Sequence, residues 1–184
     1  MIRIGILGDI GSGKSYVAES FGYPVFNADK EVSKLYRKNK KTFNKLKKIL
    51  PKYFNSYPIK KHEVTKAILA NSINLKKIIK VIHLEIRKKM NFFLKKNKNK
   101  KVVILDIPLL LENRINKKSD ILVFVQSKKL DILKRLRKRT NFNQKLLNKL
   151  RKLQLSLVYK KENLILLLKI ILLINLLKEM LNIS

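Results

Sequence analysis

A glycine-rich stretch near the start of the chain, GDIGSGKSY at residues 8–16, constrains the fold more than any other feature. An apolar run precedes it, and the helix-like sequence KSYVAESF overlaps its end. The spacing of Gly8, four residues, and then Gly13, Lys14 and Ser15 is that of a phosphate-binding loop between a strand and a helix. The chain is therefore expected to bind a nucleoside triphosphate within an α/β fold.

The residue types in this loop suit the binding of phosphate. Its glycines allow backbone φ values closed to other residues, so that several N–H groups point at one anion, and the following helix N-terminus adds its positive dipole end. Lys14 is expected to reach the β- and γ-phosphates, and the Ser15 hydroxyl to ligate Mg²⁺. The predicted ATP-binding residues of the loop are Gly8, Asp9, Ile10, Gly11, Ser12, Gly13, Lys14, Ser15 and Tyr16.

Composition limits the classes of protein that the chain can belong to. Its 184 residues suffice for one domain with a real core, and the absence of cysteine excludes disulfides and cysteine-bound metals. The N-terminus enters a strand directly, without an export signal, which predicts a cytoplasmic protein. Forty-four Lys and Arg against twelve Asp and Glu give a net charge of +32. The excess is spread over Asn- and Ile-rich stretches, so A/T-rich coding bias and a polyanion-binding surface both stay open.

Apolar runs alternate with helical patterns along the chain. The pattern predicts a doubly wound parallel sheet, as in the three-layer α/β fold of P-loop proteins. After the first strand, further strands are expected at YPVF (23–26), KVVILD (101–106) and ILVFV (121–125).

Helices are expected between these strands. Residues 28–38 read as one helix, and residues 40–99 read as a helical insertion. An apolar stripe at helical spacing marks the core side of that insertion: Leu75, Ile78, Ile79, Ile82, Ile86, Met90 and Phe93. A basic helix is expected over 127–139, with three leucines on one side: Leu130, Leu133 and Leu136.

Many folds carry a phosphate-binding loop, so the acceptor must be inferred from other residues. The guanine-reading pattern of a GTPase is absent, because Ser119 of NKKS stands where the pattern needs Asp. A kinase of a small hydroxyl substrate needs a carboxylate near the second strand, and Asp29 is so placed. Asp106 ends a predicted buried strand and is expected to face the catalytic crevice, where it could hold Mg²⁺ through water or orient the acceptor.

Five motifs in order resemble the dephospho-CoA kinase family: GDIGSGKS, FNADKEVSKLY, IHLEIRKKM, VVILDIPLLLE and RLRKR. The resemblance covers residues 1 to about 156, and DIPLLLE at 106–112 is its most specific piece. It implies a P-loop kinase that transfers the γ-phosphate of ATP to the 3′-hydroxyl of dephospho-CoA. It also implies Mg²⁺ as the cofactor.

The resemblance implies roles for residues outside the loop. Asp29 matches the general base, whereas Asn27 stands where the family usually has an Asp, and Leu84 replaces a proline. Lys14 and Asp29 are the predicted catalytic residues. Arg135 and Arg139 match lid-side arginines that would steady the transferring phosphate. The residues expected at the acceptor are Asp29, Lys61, His83, Asp106, Pro108, Leu109 and Glu112.

The expected organisation is a single kinase domain. A nucleotide-binding core (1–39 and 100–138) is expected to carry the helical insertion, followed by a lid (139–160) and an atypical tail (161–184). The expected partners are ATP and dephospho-CoA, with no nucleic acid or membrane, and a monomer is expected. Two alternatives stay open: a P-loop kinase of another small acceptor, such as a nucleoside monophosphate, and a basic P-loop protein that binds ATP and RNA.

The tail departs from the family pattern. LILLLKIILLINLL is too short and too polar, with Lys169 and Asn175, to span a membrane, although it could form a packing or interfacial helix. One permitted A/T-rich coding of residues 162–171, translated from two bases later, reads KSDFIIKNN, close to the strand that the family has there. We therefore predict a one-base insertion or deletion near residues 157–162 of the gene.

Overall fold

The computed structural model describes residues 1–140, 142–162 and 166–169, which divide into two compact units. The first, here called the sheet unit, comprises residues 1–27, 97–143 and 150–184. The second, the helical unit, comprises residues 28–96 and 144–149. In the part of the chain that is described, no helix is both long enough and apolar enough to cross a membrane.

Five parallel strands form the sheet unit. They are β1 (Ile2–Gly8), β2 (Val25–Asn27), β3 (Val102–Asp106), β4 (Ile121–Gln126) and β5 (Leu166–Lys169). Their order across the sheet is β2-β3-β1-β4-β5, so that β1 pairs with two strands that are distant in sequence. The predicted parallel α/β sheet is confirmed, and every strand expected from the sequence is present.

The sheet is buried on both faces of its central strand. Ile6 and Leu7 are consecutive residues of β1 and therefore point to opposite faces, yet both are buried. Ile6 packs with Val17 and Ala18 of the first helix. Parallel sheets need covering on both faces, which explains the unbroken apolar runs of these strands. Because the strands are parallel, their carboxyl ends share one edge, and the glycine-rich loop leaves β1 at that edge.

Eight helices are described. The sheet unit contains α1 (Lys14–Ser20), α6 (Lys129–Arg137) and α8 (Leu157–Glu162), and the helical unit contains α2 (Ala28–Lys38), α3 (Lys40–Ile49), α4 (Lys61–Ala70) and α5 (Ser72–Lys96). The helix α7 (Gln144–Arg151) begins in the helical unit, and its last two residues belong to the sheet unit.

The long helix α5 organises the helical unit. The predicted apolar stripe is confirmed, since five of its residues are buried: Leu75, Ile78, Ile82, Ile86 and Met90. Two ion pairs add to this packing. Lys45 of α3 lies 2.9 Å from Glu85. Lys89 lies 3.1 Å from Glu31 of α2. Apolar contacts on one helix face therefore hold the unit together, and charged pairs lie at the edge of that face.

The expectation of continuous helix over 40–99 is wrong for residues 51–60. Pro51 and Pro58 lie in this segment, and proline disfavours helix both at its own position and at the preceding one. The carboxylate of Glu63 organises the segment by accepting the backbone N–H groups of Asn55, Ser56 and Lys60 at 2.9–3.0 Å. Burial by itself raises the pKa of Glu63, but these hydrogen bonds outweigh it and hold the pKa below its usual value.

The expected leucine face of α6 is correct at Leu136, which is buried, and wrong at Leu130. Ile132 and Leu136, one turn apart, are buried, whereas Leu130 is 71% exposed. At 3.6 residues per turn, the six positions from Leu130 to Leu136 place the two side chains about a third of a turn apart on the helix. The buried face of α6 therefore uses an isoleucine that the leucine spacing did not single out.

The tail contributes one described element. β5 pairs with β4 in parallel, with Val123 opposite Leu166, so residues 166–169 form a strand and not the packing or interfacial helix that the tail sequence also allowed. The rest of the predicted apolar tail, at 163–165 and 170–184, lies outside the described residues. The displaced reading frame stays a prediction. Resequencing the gene tests it, because an intact frame with unrelated codons would rule it out.

Candidate active site

The glycine-rich loop between β1 and α1 adopts the expected backbone conformation. Gly8, Gly11 and Gly13 all have positive φ, as predicted. A Cβ on Gly8 would lie 2.7 Å from both the Ser12 hydroxyl and the Val125 carbonyl oxygen, closer than any side chain tolerates. A side chain at this position is therefore excluded by its surroundings as well as by backbone strain.

Lys14 lies folded against the loop that precedes it. Its ammonium donates to the carbonyl oxygens of Asp9 at 2.8 Å and Gly8 at 3.3 Å, and the residue is buried. The positive charge is thereby held beside the backbone that the motif assigns to phosphate binding. Tyr16, also predicted to bind ATP, is 60% exposed.

Three polar side chains meet at the carboxyl edge of the sheet. The Ser15 hydroxyl donates to Asp106 Oδ2 at 2.6 Å, and the Asn27 amide donates to the same oxygen at 2.6 Å. Asn27 also lies 3.2 Å from the Ser15 hydroxyl oxygen. The cause is the strand register, which pairs Asn27 with Asp106 across β2 and β3. The buried Asp106 carboxylate therefore accepts hydrogen bonds from one hydroxyl and one amide.

Ser127, directly after β4, and two residues of α6 contact the loop; β4 lies on the other side of β1 from β3, which carries Asp106. The Ser12 carbonyl oxygen accepts hydrogen bonds from the Ser127 hydroxyl at 2.8 Å and from Arg135 at 3.2 Å. A Cβ on Gly11 would meet the Leu136 side chain at 2.9 Å. The guanidinium of Arg135 thus contacts the loop backbone, whereas Arg139, two positions after the end of α6, is exposed.

An ion pair joins the loop to the end of α7. Arg151 Nη2 lies 2.9 Å from Asp9 Oδ2, and Arg151 Nε donates to Asp9 Oδ1 at 3.3 Å. The Oδ1 atom of Asp9 also accepts the N–H of Ile10 at 2.6 Å. The loop therefore carries an acidic side chain that is paired within the sheet unit.

The segment that follows β3 is tied to residues near α8. The Pro108 carbonyl oxygen accepts from Gln154 at 3.2 Å. Glu112 Oε1 accepts from the Lys160 ammonium at 2.8 Å and from the N–H of Leu155 at 2.9 Å. Lys160 and Glu112 are 1% and 9% exposed at their side chains. This buried pair therefore anchors the DIPLLLE segment; Leu109, partly buried, accepts from Asn113 through its carbonyl oxygen.

The remaining predicted residues lie on three helices of the helical unit. Asp29 is exposed in the first turn of α2, and Lys61 is exposed at the start of α4. His83 lies midway along α5, half-buried. Burial, and to a lesser degree the Arg87 guanidinium, lowers the pKa of His83, so its imidazole is neutral at pH 7.

Sequence reasoning missed three residues of this network: Ser127, Arg151 and Lys160. A signal existed for Ser127, because it follows directly after β4, whose carboxyl end meets the edge that carries the loop. Arg151 and Lys160 had none, since each is one of forty-four basic residues and belongs to no motif.

The site is thus a phosphate-binding loop with the Ser15 hydroxyl and the Asp106 carboxylate next to its C-terminal end. A family model described as dephospho-CoA kinase matches residues 2–168. The chain belongs to the dephospho-CoA kinase family. The resemblance drawn from the five motifs is thereby confirmed, and so is the assignment as a P-loop kinase. The family match continues past residue 161, where the atypical tail was expected to begin.

Individual relatives agree with the family match. A dephospho-CoA kinase of Wolbachia pipientis wMel is 33% identical over 164 residues, covering 86% of this chain and 84% of the relative. A dephospho-CoA kinase of Fusobacterium nucleatum is 35% identical over 165 residues, covering 83% and 81%. A crystal structure of a Thermus thermophilus protein superposes with a TM-score of 0.71 at 25% identity, covering 91% of this chain and 87% of that protein.

Proposed function

We propose that this chain transfers the γ-phosphoryl group of ATP to the 3′-hydroxyl of dephospho-CoA, giving coenzyme A and ADP. One observation carries the proposal: in a chain of this family, the Ser15 hydroxyl and the Asp106 carboxylate meet at 2.6 Å at the end of a phosphate-binding loop. Phosphoryl transfer requires charge neutralisation and positioning rather than covalent chemistry. The Ser15 and Asp106 oxygens would hold the Mg²⁺ that neutralises charge, together with the Lys14 ammonium.

The donor set suits Mg²⁺. The Ser15 hydroxyl and the Asp106 carboxylate offer hard oxygen ligands, as this cation prefers. Among the described residues there is no group of three His, Cys, Asp or Glu side chains that could form a dedicated metal cage. Mg²⁺ characteristically relies on one or two protein ligands plus water and substrate phosphates. When bound, it would neutralise charge that develops between the β- and γ-phosphates.

Lys14 and the loop N–H groups would bind the phosphates. The Lys14 ammonium already lies beside the loop, so contact with phosphate requires exchange of its carbonyl partners rather than a new backbone position. Arg135 would act by holding the loop through Ser12. Arg139 is proposed as a side chain that reaches the transferring phosphate.

Asp29 is the proposed general base. It follows Asn27, the last residue of β2, by two positions, and its exposed carboxylate stands in the first turn of α2. A base in this role takes the proton of the acceptor hydroxyl as the oxygen attacks phosphorus. The proposed acceptor-binding residues are Asp29, Lys61, His83, Asp106, Pro108, Leu109 and Glu112.

The first test measures ADP release by the purified chain with Mg-ATP, with and without candidate acceptors. We expect stimulation by dephospho-CoA and little by nucleoside monophosphates. Stimulation by a nucleoside monophosphate alone would make that monophosphate the acceptor. A steeply salt-dependent affinity for RNA, without phosphoryl transfer to any acceptor, would favour a protein that binds ATP and RNA. If ATP binds but no acceptor stimulates, repeating the assay with the tail recoded in the shifted frame separates a disabled tail from a wrong acceptor.

The proposed setting is the cytoplasm, and the proposed assembly is a monomer. Sedimentation of the purified chain tests the second point, with a mass of 21.6 kDa expected.

A further inference from the structure

The second residue of the phosphate-binding loop is acidic, which opposes the function of the loop. A carboxylate near a polyphosphate repels it, and this repulsion is strong where water is partly excluded. Asp9 has a second unfavourable effect, because its Oδ1 atom occupies the N–H of Ile10 at 2.6 Å. That N–H is one of the donors of the loop. An uncompensated Asp9 would therefore weaken nucleotide binding through both its charge and its hydrogen bond.

Arg151 compensates this charge. Its guanidinium addresses both oxygens of Asp9, at 2.9 Å to Oδ2 and 3.3 Å to Oδ1. The two side chains are 34% and 17% exposed, so the pair is shielded from solvent more than an ordinary surface pair. Two-pronged contacts between guanidinium and carboxylate fix geometry as well as charge.

The backbone after Arg151 is anchored, which holds the guanidinium in place. Gln154 donates to the Pro108 carbonyl oxygen, and the N–H of Leu155 donates to Glu112. Both contacts lie within four residues of Arg151. A side chain that extends from a fixed backbone loses less conformational entropy when it pairs, so the contact with Asp9 is preorganised.

We propose that Arg151 is a positioning residue of the nucleotide site, which neutralises Asp9 and so allows an acidic phosphate-binding loop to accept ATP. The inference rests on the proposed binding of ATP but not on the identity of the acceptor. Arg151 acts on the nucleotide through Asp9, and its importance should therefore vanish when Asp9 is neutral.

The test compares the dissociation constant of Mg-ATP, by calorimetric titration without acceptor, among single and double variants. Arg151→Met should weaken binding about tenfold, the effect of losing one favourable charge contact. Asp9→Ser alone is the reference of the cycle, and adding Arg151→Met to Asp9→Ser should change the dissociation constant by no more than about threefold. Lys152→Met, an exposed neighbour with the same change of charge, should bind as the parent does.

Other outcomes would overturn the inference. If the double variant binds as weakly as Arg151→Met, Arg151 acts on the nucleotide directly; if Arg151→Met binds as the parent does, the pair has no function in binding. Thermal melting shows whether Arg151→Met folds. If it does not, Arg151→Lys replaces it: this variant should weaken ATP binding about threefold, and Asp9→Ser should abolish that weakening. If the parent does not bind ATP, the proposed function is refuted. If the parent binds ATP but no acceptor stimulates ADP release, only the proposed acceptor is refuted, and the test of Arg151 stands.

Discussion

Asn27 and Asp106 are register partners on neighbouring parallel strands, and the Asn27 amide donates to the Asp106 carboxylate at 2.6 Å. The same oxygen of Asp106 accepts the Ser15 hydroxyl. The family resemblance places an Asp where this chain has Asn27, so an amide here replaces one of two facing carboxylates. The Asn27 amide donates a hydrogen bond to the Asp106 carboxylate, whereas a carboxylate at position 27 would have no N–H to donate.

The Asn27→Asp variant is expected to have a stability that depends on Mg²⁺. Two facing carboxylates repel each other, so without Mg²⁺ the free energy of unfolding should fall by about 1–3 kcal/mol. Mg-ATP should reduce this difference, because a cation held by Asp106 would offset the repulsion from a second carboxylate at position 27. Thermal melting with and without Mg-ATP measures the effect, and Asn27→Ala, which adds no charge, is the control. Equal melting temperatures of parent and Asn27→Asp without Mg²⁺ would contradict it.

Asp29→Asn tests the proposed general base. The amide cannot take a proton, so turnover with dephospho-CoA should fall by about 10²-fold or more. The affinity for Mg-ATP should stay near that of the parent, because Asp29 is not part of the phosphate-binding loop. Steady-state ADP release and ATP titration together measure the two effects. The Lys14→Ala variant should lose both, and unchanged turnover in Asp29→Asn would assign the base to another residue.

Lys160→Met tests the buried pair at the end of the DIPLLLE segment. Removal of the ammonium leaves the Glu112 carboxylate buried with the N–H of Leu155 as its remaining described partner. The free energy of unfolding should fall by about 3 kcal/mol or more, the usual effect of breaking a buried ion pair from one side. Denaturant unfolding measures it. Lys152→Met, exposed, should change stability by no more than about 0.5 kcal/mol.

Glu112→Gln in the Lys160→Met background should recover part of that loss. The amide carries no charge, so its burial without a cation is less unfavourable. A double variant as unstable as the single one would mean that Lys160 stabilises the fold through packing of its aliphatic chain rather than through Glu112.

His83 predicts a fall in stability under mildly acidic conditions. Its pKa in the folded state is lowered, mainly by burial, so the unfolded chain binds the proton more readily. The contribution of the neutral imidazole is therefore complete above about pH 6.5, the unfolded value, and is lost as the pH falls through the folded pKa. Three carboxyl groups in the helical unit titrate below this window, because their pKa values are lowered from 4.5: Glu31, Glu63 and Glu85.

Denaturant unfolding of the parent and His83→Gln between pH 7.5 and 5.5 measures this contribution. The stability of the parent should fall more steeply with acidity than that of His83→Gln, which cannot titrate. Parallel profiles would show that the environment of His83 does not disfavour its protonated form.

The loop and the strands could be predicted because each is a local pattern. Gly8, Gly13, Lys14 and Ser15 stand at a spacing that reflects one backbone conformation, and the apolar runs of β3 and β4 are typical of strands covered on both faces. The predictions failed where a helical repeat of apolar residues was assumed to continue without a break. Two prolines interrupt the helical pattern at residues 51–60, and the buried face of α6 includes Ile132 rather than Leu130.

The sequence alone determined the family and the phosphate-binding loop, since both depend on the order and spacing of nearby residues. Tertiary structure alone decided the partners of that loop. Asp9 meets Arg151 across 142 positions of the chain, and Ser12 meets Arg135 across 123. Such pairs depend on which strands and helices become neighbours, and with forty-four basic residues available no local pattern distinguishes the few that the fold brings to the loop.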